Sequence, residues 1–183
     1  MTRFAALFTA LALAMSAPAA LAQQAEDPDA PAGSTVAQPT AQQNADFLAA
    51  YAKQKGVIPR PSGLMFRIIR NGFGPRPLTT DTVTVNYKGK LVNGYVFDGT
   101  SPGLPASFKV NGVIVGWTEA LLSMRIGDRW ELVIPASIGY GVRGKGDIGP
   151  NQTLIFDLEL LATKAAPKRG EKGYVPEPGE PKS

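Results

Sequence analysis

The strongest constraint on the fold is a series of short segments in which apolar and polar residues alternate. In 82–87 (TVTVNY) and 154–160 (LIFDLEL) the alternation has a period of two residues. This period places one face of a strand on a core and the other face in water. Gly, Pro and Asn mark the breaks between segments. The pattern predicts a mainly antiparallel sheet, with strands over 64–70, 82–91, 107–110, 129–134 and 153–161.

One stretch inside this region has helical spacing instead. Ala120, Leu121 and Met124 fall on one face of a short amphipathic helix predicted over 118–124. That apolar face can cover the sheet. The predicted fold class is therefore α+β, with one short helix packed on one antiparallel sheet.

The first 22 residues have the pattern of a secretory signal peptide. Arg3 gives a positive start, a long apolar run follows, and small residues end at Ala22. The protein is therefore expected to be periplasmic or secreted after cleavage near Ala22. The chain has no cysteine, so packing alone must stabilise the fold. No second stretch approaches the roughly 20 apolar residues of a membrane span, so no integral membrane segment is expected.

The rest of the chain divides by composition into four parts. Residues 23–45 carry few large apolar side chains, which predicts a disordered leader. Residues 46–56 predict a short helix capped by Asp46. One domain is predicted over 57–163, and a disordered tail of Pro, Lys and Glu over 164–183.

The charge pattern excludes some partners. The formal net charge is only +4, and the basic residues are scattered without interleaved aromatic residues, so no nucleic-acid partner is expected. The basic residues of the tail alternate with acidic ones. Plain disorder accounts for such a tail, although docking on an anionic surface is an alternative.

The absence of histidine and cysteine removes most catalytic and metal sites, including Ser-His-Asp triads and zinc sites. Asp157 and Glu159 lie two apart and are interpreted as the solvated side of a strand. The string 139–144 matches G-x-G-x-x-G, but loop residues follow it where a nucleotide site needs a helix. No cofactor and no metal site are predicted.

Five segments together resemble a known family. In chain order they are VNYKG at 85–89, VFDGT at 96–100, VIVGWTEAL at 113–121, IGYG at 138–141 and IGPNQTLIFDLEL at 148–160. They are similar, in sequence and spacing, to the signature segments of FKBP-type peptidyl-prolyl cis-trans isomerases. The entry segment PSGL at 61–64 looks most like the exported macrophage-infectivity-potentiator and periplasmic subgroup. The resemblance implies a twisted antiparallel sheet wrapped around one short helix.

The resemblance also implies a site made mainly of apolar residues. The implied catalytic residues are Tyr87, Phe97, Asp98, Trp117 and Tyr140. The implied substrate-binding residues are Phe108, Val113, Ile114, Ile148 and Phe156. In the family pattern Trp117 forms the floor under the proline ring, while the Tyr140 hydroxyl and the Ile114 N–H bind carbonyl groups. Proline-containing polypeptides and macrolide inhibitors are the ligands that the resemblance implies.

The function expected from these residues is isomerisation of X-Pro bonds during the folding of exported proteins. The alternative is a chaperone that binds prolyl segments with little turnover. Asp98 could stabilise the twisted amide electrostatically, or could serve only as a structural hydrogen-bond acceptor. Because only about ten residues are predicted to be helical before the domain, the expected oligomeric state is a monomer or a weak dimer.

Overall fold

The computed structural model describes residues 37–167 and residue 171. The predicted signal peptide, the leader as far as residue 36 and most of the predicted tail lie outside the described residues. The described residues form two α-helices and seven strands: α1 Ala41–Tyr51, β1 Val57–Pro59, β2 Met65–Arg70, β3 Thr82–Leu91, β4 Val96–Gly99, β5 Ala106–Lys109, α2 Val115–Ser123, β6 Arg129–Ile134 and β7 Leu154–Lys164. No helix in 37–167 is long and apolar enough to span a bilayer.

The seven strands form one antiparallel sheet. Their order is β1-β2-β6-β7-β3-β4. Strand β5 pairs with residues 82–85 of β3, and β4 pairs with residues 88–90 of the same strand. The last strand, β7, lies between β6 and β3 over most of its length. Because the two longest strands are neighbours at the centre, the apolar positions of the alternating pattern meet in one buried layer. The predicted α+β fold class is confirmed.

The inner face of the sheet packs against α2. On β7, Leu154, Phe156 and Leu158 point into this layer and are almost fully buried. Leu121 of α2 is also fully buried in the same cluster. Gly116 lets the helix approach β6, because a Cβ at this position would lie 2.7 Å from Ile134 Cγ2.

The outer face of the sheet carries a smaller apolar cluster and a row of ion pairs. Tyr51 of α1 packs there on Met65, Val133 and Ile155. Farther along the same face, Asp157 binds Arg129 at 2.6 Å and Glu159 binds Arg70. The interpretation of Asp157 and Glu159 as the solvated side of a strand is confirmed.

Several boundaries differ from the predictions. Helix α1 begins at Ala41, not at Asp46, because Thr40 and Gln43 form a reciprocal capping box. The prediction of a disordered leader is therefore wrong for residues 41–45, which are helical. Helix α2 begins at Val115, three residues before the predicted start. The short strands β1 and β4 were absent from the prediction.

Candidate active site

The floor of the site is the indole of Trp117, which α2 presents to the inner face of the sheet. Three aromatic neighbours contact it edge-to-face. The centroid distances are 5.1 Å to Tyr87, 5.1 Å to Phe156 and 5.8 Å to Phe108. Edge-to-face pairs at these distances are favourable beyond the area that they bury. The floor is therefore rigid and apolar.

The walls come from strands on both sides of this floor. Phe97 of β4 packs edge-to-face on Phe156 of β7, with centroids 5.6 Å apart. Gly89 of β3 makes this approach possible, because a Cβ there would lie 2.6 to 2.7 Å from both rings. A larger residue at position 89 would push Phe97 or Phe156 out of place.

Asp98 is the acidic residue at the mouth of this box. Its carboxylate accepts a hydrogen bond from the Tyr87 hydroxyl at 2.7 Å and another from the N–H of Gly99 at 2.8 Å. Each carboxylate oxygen therefore has a donor. These bonds satisfy the charge beside apolar walls, where an unpaired carboxylate would be costly.

Two tyrosine hydroxyls at the site are held in the protonated form. Burial, followed by the hydrogen bond to Asp98, raises the pKa of Tyr87 above its ordinary value of 10.0. Burial, followed by the negative charge of Asp98, raises the pKa of Tyr140 above 10.0 as well. Both hydroxyls are consequently hydrogen-bond donors at neutral pH. Tyr87 donates to Asp98, whereas Tyr140 has no hydrogen-bond partner among the described residues.

These residues enclose a cavity of about 380 Å³, a size typical of small-ligand pockets. Nine of the ten residues implied by the family resemblance line it. The exception is Ile148, which is 6% exposed and lines a second cavity of about 320 Å³ beside the first. Phe97, Asp98 and Tyr140 line both cavities.

Two lining residues were not predicted from the sequence. Gly112 belongs to the turn between β5 and α2 and carries no side chain that could signal a site. Lys145 borders both cavities, and its ammonium group lies 5.4 Å from the centroid of the Tyr140 ring. The sequence gives no local signal of this contact, because it depends on the conformation of the loop after Tyr140.

The backbone of Ile114 lies at the N-terminus of α2, where it is the capping residue. Ile114 lines the cavity, and its N–H has no acceptor among the described residues, as is usual at the start of a helix. No cluster of acidic residues in the described part of the chain could hold a metal ion. The site thus offers an aromatic box, a few hydrogen-bond donors and one satisfied carboxylate.

Comparison with known proteins agrees with this geometry. The profile of the family described as FKBP-type peptidyl-prolyl cis-trans isomerase matches residues 74–161. Outer membrane protein MIP of Legionella longbeachae is 49% identical over 122 residues, which are 66% of this chain and 52% of that protein. The FKBP-type 22 kDa peptidyl-prolyl cis-trans isomerase of Escherichia coli is 49% identical over 126 residues, which are 68% of this chain and 61% of that protein. The chain thus spans between half and two thirds of the length of these two relatives.

Among solved structures, the peptidyl-prolyl cis-trans isomerase PPIase of Pseudomonas syringae pv. tomato is 35% identical with a TM-score of 0.64. The match covers 71% of this chain and 99% of that one. FkpA of Escherichia coli is 43% identical with a TM-score of 0.67, over 69% of this chain and 60% of that one. The chain belongs to the FKBP-type peptidyl-prolyl cis-trans isomerase family.

Proposed function

We propose that this chain catalyses the cis-trans isomerisation of X-Pro bonds in exported polypeptides. One observation carries the proposal: a cavity of about 380 Å³ whose floor is the buried Trp117 indole and whose walls are phenylalanine and tyrosine rings. A prolyl ring is apolar and flat enough to lie on such a floor. The hydrogen-bond donors stand at the edge of the box, where peptide carbonyl groups would lie.

The chemistry needs neither a nucleophile nor a proton relay. Rotation about the X-Pro bond passes through a twisted amide, and the uncatalysed barrier is roughly 20 kcal/mol. The planar amide is more dipolar than the twisted one and loses more hydration when it is buried. An apolar box therefore favours the twisted state over the ground state, which is the condition for catalysis. A chain without histidine or cysteine can perform this reaction.

The hydrogen-bond pattern suggests different tasks for the two tyrosines. Tyr87 donates to Asp98 and so fixes the carboxylate against the wall. The Tyr140 hydroxyl is protonated and lines the cavity, so it can donate to a substrate carbonyl. The Ile114 N–H is a second possible donor at the same cavity. Asp98 then acts mainly through Tyr87 and through its charge at the mouth of the cavity.

Export is part of the same proposal. The first 22 residues have the pattern of a signal peptide, and the relative in Legionella longbeachae is named as an outer membrane protein. A folding catalyst for exported proteins would act on proline-containing segments in the periplasm. Macrolides that mimic a prolyl segment would then be competitive inhibitors.

Protease-coupled isomerisation of a Leu-Pro peptide tests the proposal directly. Wild-type protein should accelerate the reaction, and a macrolide ligand of the family should abolish the acceleration. Asp98→Asn keeps the shape of the side chain but removes its charge and one of its two accepted hydrogen bonds, because an amide has a single acceptor oxygen. Asp157→Asn, on the outer face of the sheet, is the matched control.

Asp98→Asn is expected to lower kcat/KM by about tenfold, and Asp157→Asn to leave it unchanged. Equal turnover in the two variants would limit Asp98 to a structural role. If folded wild-type protein binds the peptide without turnover, the chain is a prolyl-binding chaperone and not an isomerase.

A further inference from the structure

The second cavity depends on one loop for more than half of its lining. Lys145, Gly146, Asp147 and Ile148 are four of its seven lining residues. The loop closes on itself, because the backbones of Lys145 and Ile148 exchange hydrogen bonds of 2.8 and 3.0 Å. The position of this closed loop therefore sets the width of the second cavity.

The side chain of Gln38 holds this loop from outside the sheet. Its Nε2 donates to the carbonyl oxygen of Asp147 at 2.9 Å, and its Oε1 accepts from the N–H of Gly149 at 3.0 Å. Gly149 permits the approach, since a Cβ there would lie 3.0 Å from Gln38 Cγ. One side-chain amide thus binds the loop at two backbone positions.

The segment that carries Gln38 is itself fixed to the domain. The Pro39 carbonyl accepts a hydrogen bond from Gln152 Nε2 at 3.0 Å, and Asn44 Oδ1 accepts from the N–H of Thr153 at 2.8 Å. Asn44, Gln152 and Thr153 are all buried. Buried polar groups that satisfy one another in this way hold a unique geometry. Gln38 therefore projects from a fixed anchor.

We propose that Gln38 is a positioning residue of the substrate site, because it holds the loop 145–149 at the width that accommodates a side chain flanking the bound proline. This inference rests on the proposed isomerase function. Without the two bonds from Gln38 the loop samples other positions, and only a fraction of the molecules is competent to bind. A lower competent fraction raises the apparent dissociation constant by the same factor. The chemical step on the aromatic floor is unaffected.

The full-length variants Gln38→Ala and Gln42→Ala test this proposal. Gln42 is the matched control, because its Nε2 binds only Asp46 Oδ1, within α1. Gln38→Ala should raise KM for Xaa-Pro peptides by about fivefold and change kcat by less than about twofold. The Gly149 amide should exchange with solvent about tenfold faster, measured by NMR. Gln42→Ala should match the wild type in all three quantities.

Unchanged exchange at Gly149 in Gln38→Ala would show that Gln38 does not hold the loop. Faster exchange with unchanged KM would show that the loop position is irrelevant to substrate, and either result overturns the proposal. A kcat that falls as far as KM rises would also overturn it. Absence of turnover in the wild type would refute the isomerase function itself. In that case the dissociation constant for a Leu-Pro peptide is measured by tryptophan fluorescence, and a fivefold increase in Gln38→Ala is expected in place of the increase in KM.

Discussion

The two faces of the sheet are built in different ways. Among the described residues, the face under α2 gathers eighteen buried residues into one cluster, whereas the face under α1 gathers four. Instead, α1 is joined to the domain by polar groups, such as Asn44 with Thr153 and Tyr51 with Glu131. The candidate active site is an opening in the large apolar cluster. On the α1 side, Gln38 binds the loop that lines the second cavity.

This difference explains how the site can be both rigid and apolar. Trp117, Phe156 and Tyr87 are packed by the same contacts that stabilise the domain, so their geometry does not depend on a substrate. On the other face, directional hydrogen bonds fix the helix and the loop without a large core. Most of the apolar core and the geometry of the floor therefore belong to one face, and we propose that the position of the cavity edge depends on the other.

Replacing a leucine of α2 should destabilise the protein more than replacing a leucine of α1. Leu121→Ala should lower the free energy of unfolding by about 3 kcal/mol, because Leu121 is fully buried in the large cluster. Leu48→Ala should cost about 1 kcal/mol, because Leu48 is only partly buried against the small cluster. Urea denaturation of both variants measures the difference. Equal losses would show that the two apolar clusters contribute similarly to stability.

A second pair of variants tests whether hydrogen bonds, in place of a large apolar core, hold α1 on the sheet. Asn44→Ala leaves the N–H of Thr153 buried without its acceptor, so we expect a loss of about 2 kcal/mol. Gln42→Ala, on the exposed side of the same helix, should cost less than about 0.5 kcal/mol. Thermal unfolding followed by circular dichroism is the measurement. A loss for Asn44→Ala as small as that for Gln42→Ala would show that α1 is held by its apolar contacts.

The smallest effect concerns acid stability of the outer face. Hydrogen bonds from Arg70 and then Asn86 lower the pKa of Glu159 below its ordinary value of 4.5. The resulting stability is present above pH 4.5 and is lost as the pH falls through the lowered pKa. Solvent screens this partly exposed pair, so we expect about 0.5 kcal/mol. Glu159→Gln should remove this part of the acid dependence in urea titrations between pH 6 and pH 3. An unchanged acid dependence would exclude Glu159 as its source.

The sequence predicted the α2 face far better than the α1 face. Alternating apolar residues in 82–91 and 154–160 are a local signal of a buried strand face, and the structure places them in β3 and β7. The candidate site residues followed from the family resemblance, and nine of those ten line the cavity. Local pattern and three-dimensional arrangement agree wherever burial alone decides the structure.

The α1 side was predicted less well because its determinants are polar and distant in sequence. Asn44 and Thr153 are 109 residues apart, so no local pattern announces their hydrogen bond. The segment before Asp46 has few large apolar residues and therefore resembled a disordered leader.

Strand β4 has only four residues and pairs with β3 alone, too short a stretch for the alternating pattern to be recognised.

We propose that catalysis depends on the cavity on the α2 face, whereas the hydrogen bonds of the α1 face contribute to stability. Two tyrosines allow one matched measurement, kcat/KM for a Leu-Pro peptide in Tyr140→Phe and Tyr51→Phe. Each variant loses a single hydroxyl, one lining the cavity and the other bound to Glu131 at 2.9 Å on the outer face. Tyr140→Phe should lower kcat/KM by about tenfold with an unchanged melting temperature. Tyr51→Phe should lose about 1 kcal/mol of stability and keep its turnover. Equal kcat/KM in the two variants would contradict the account.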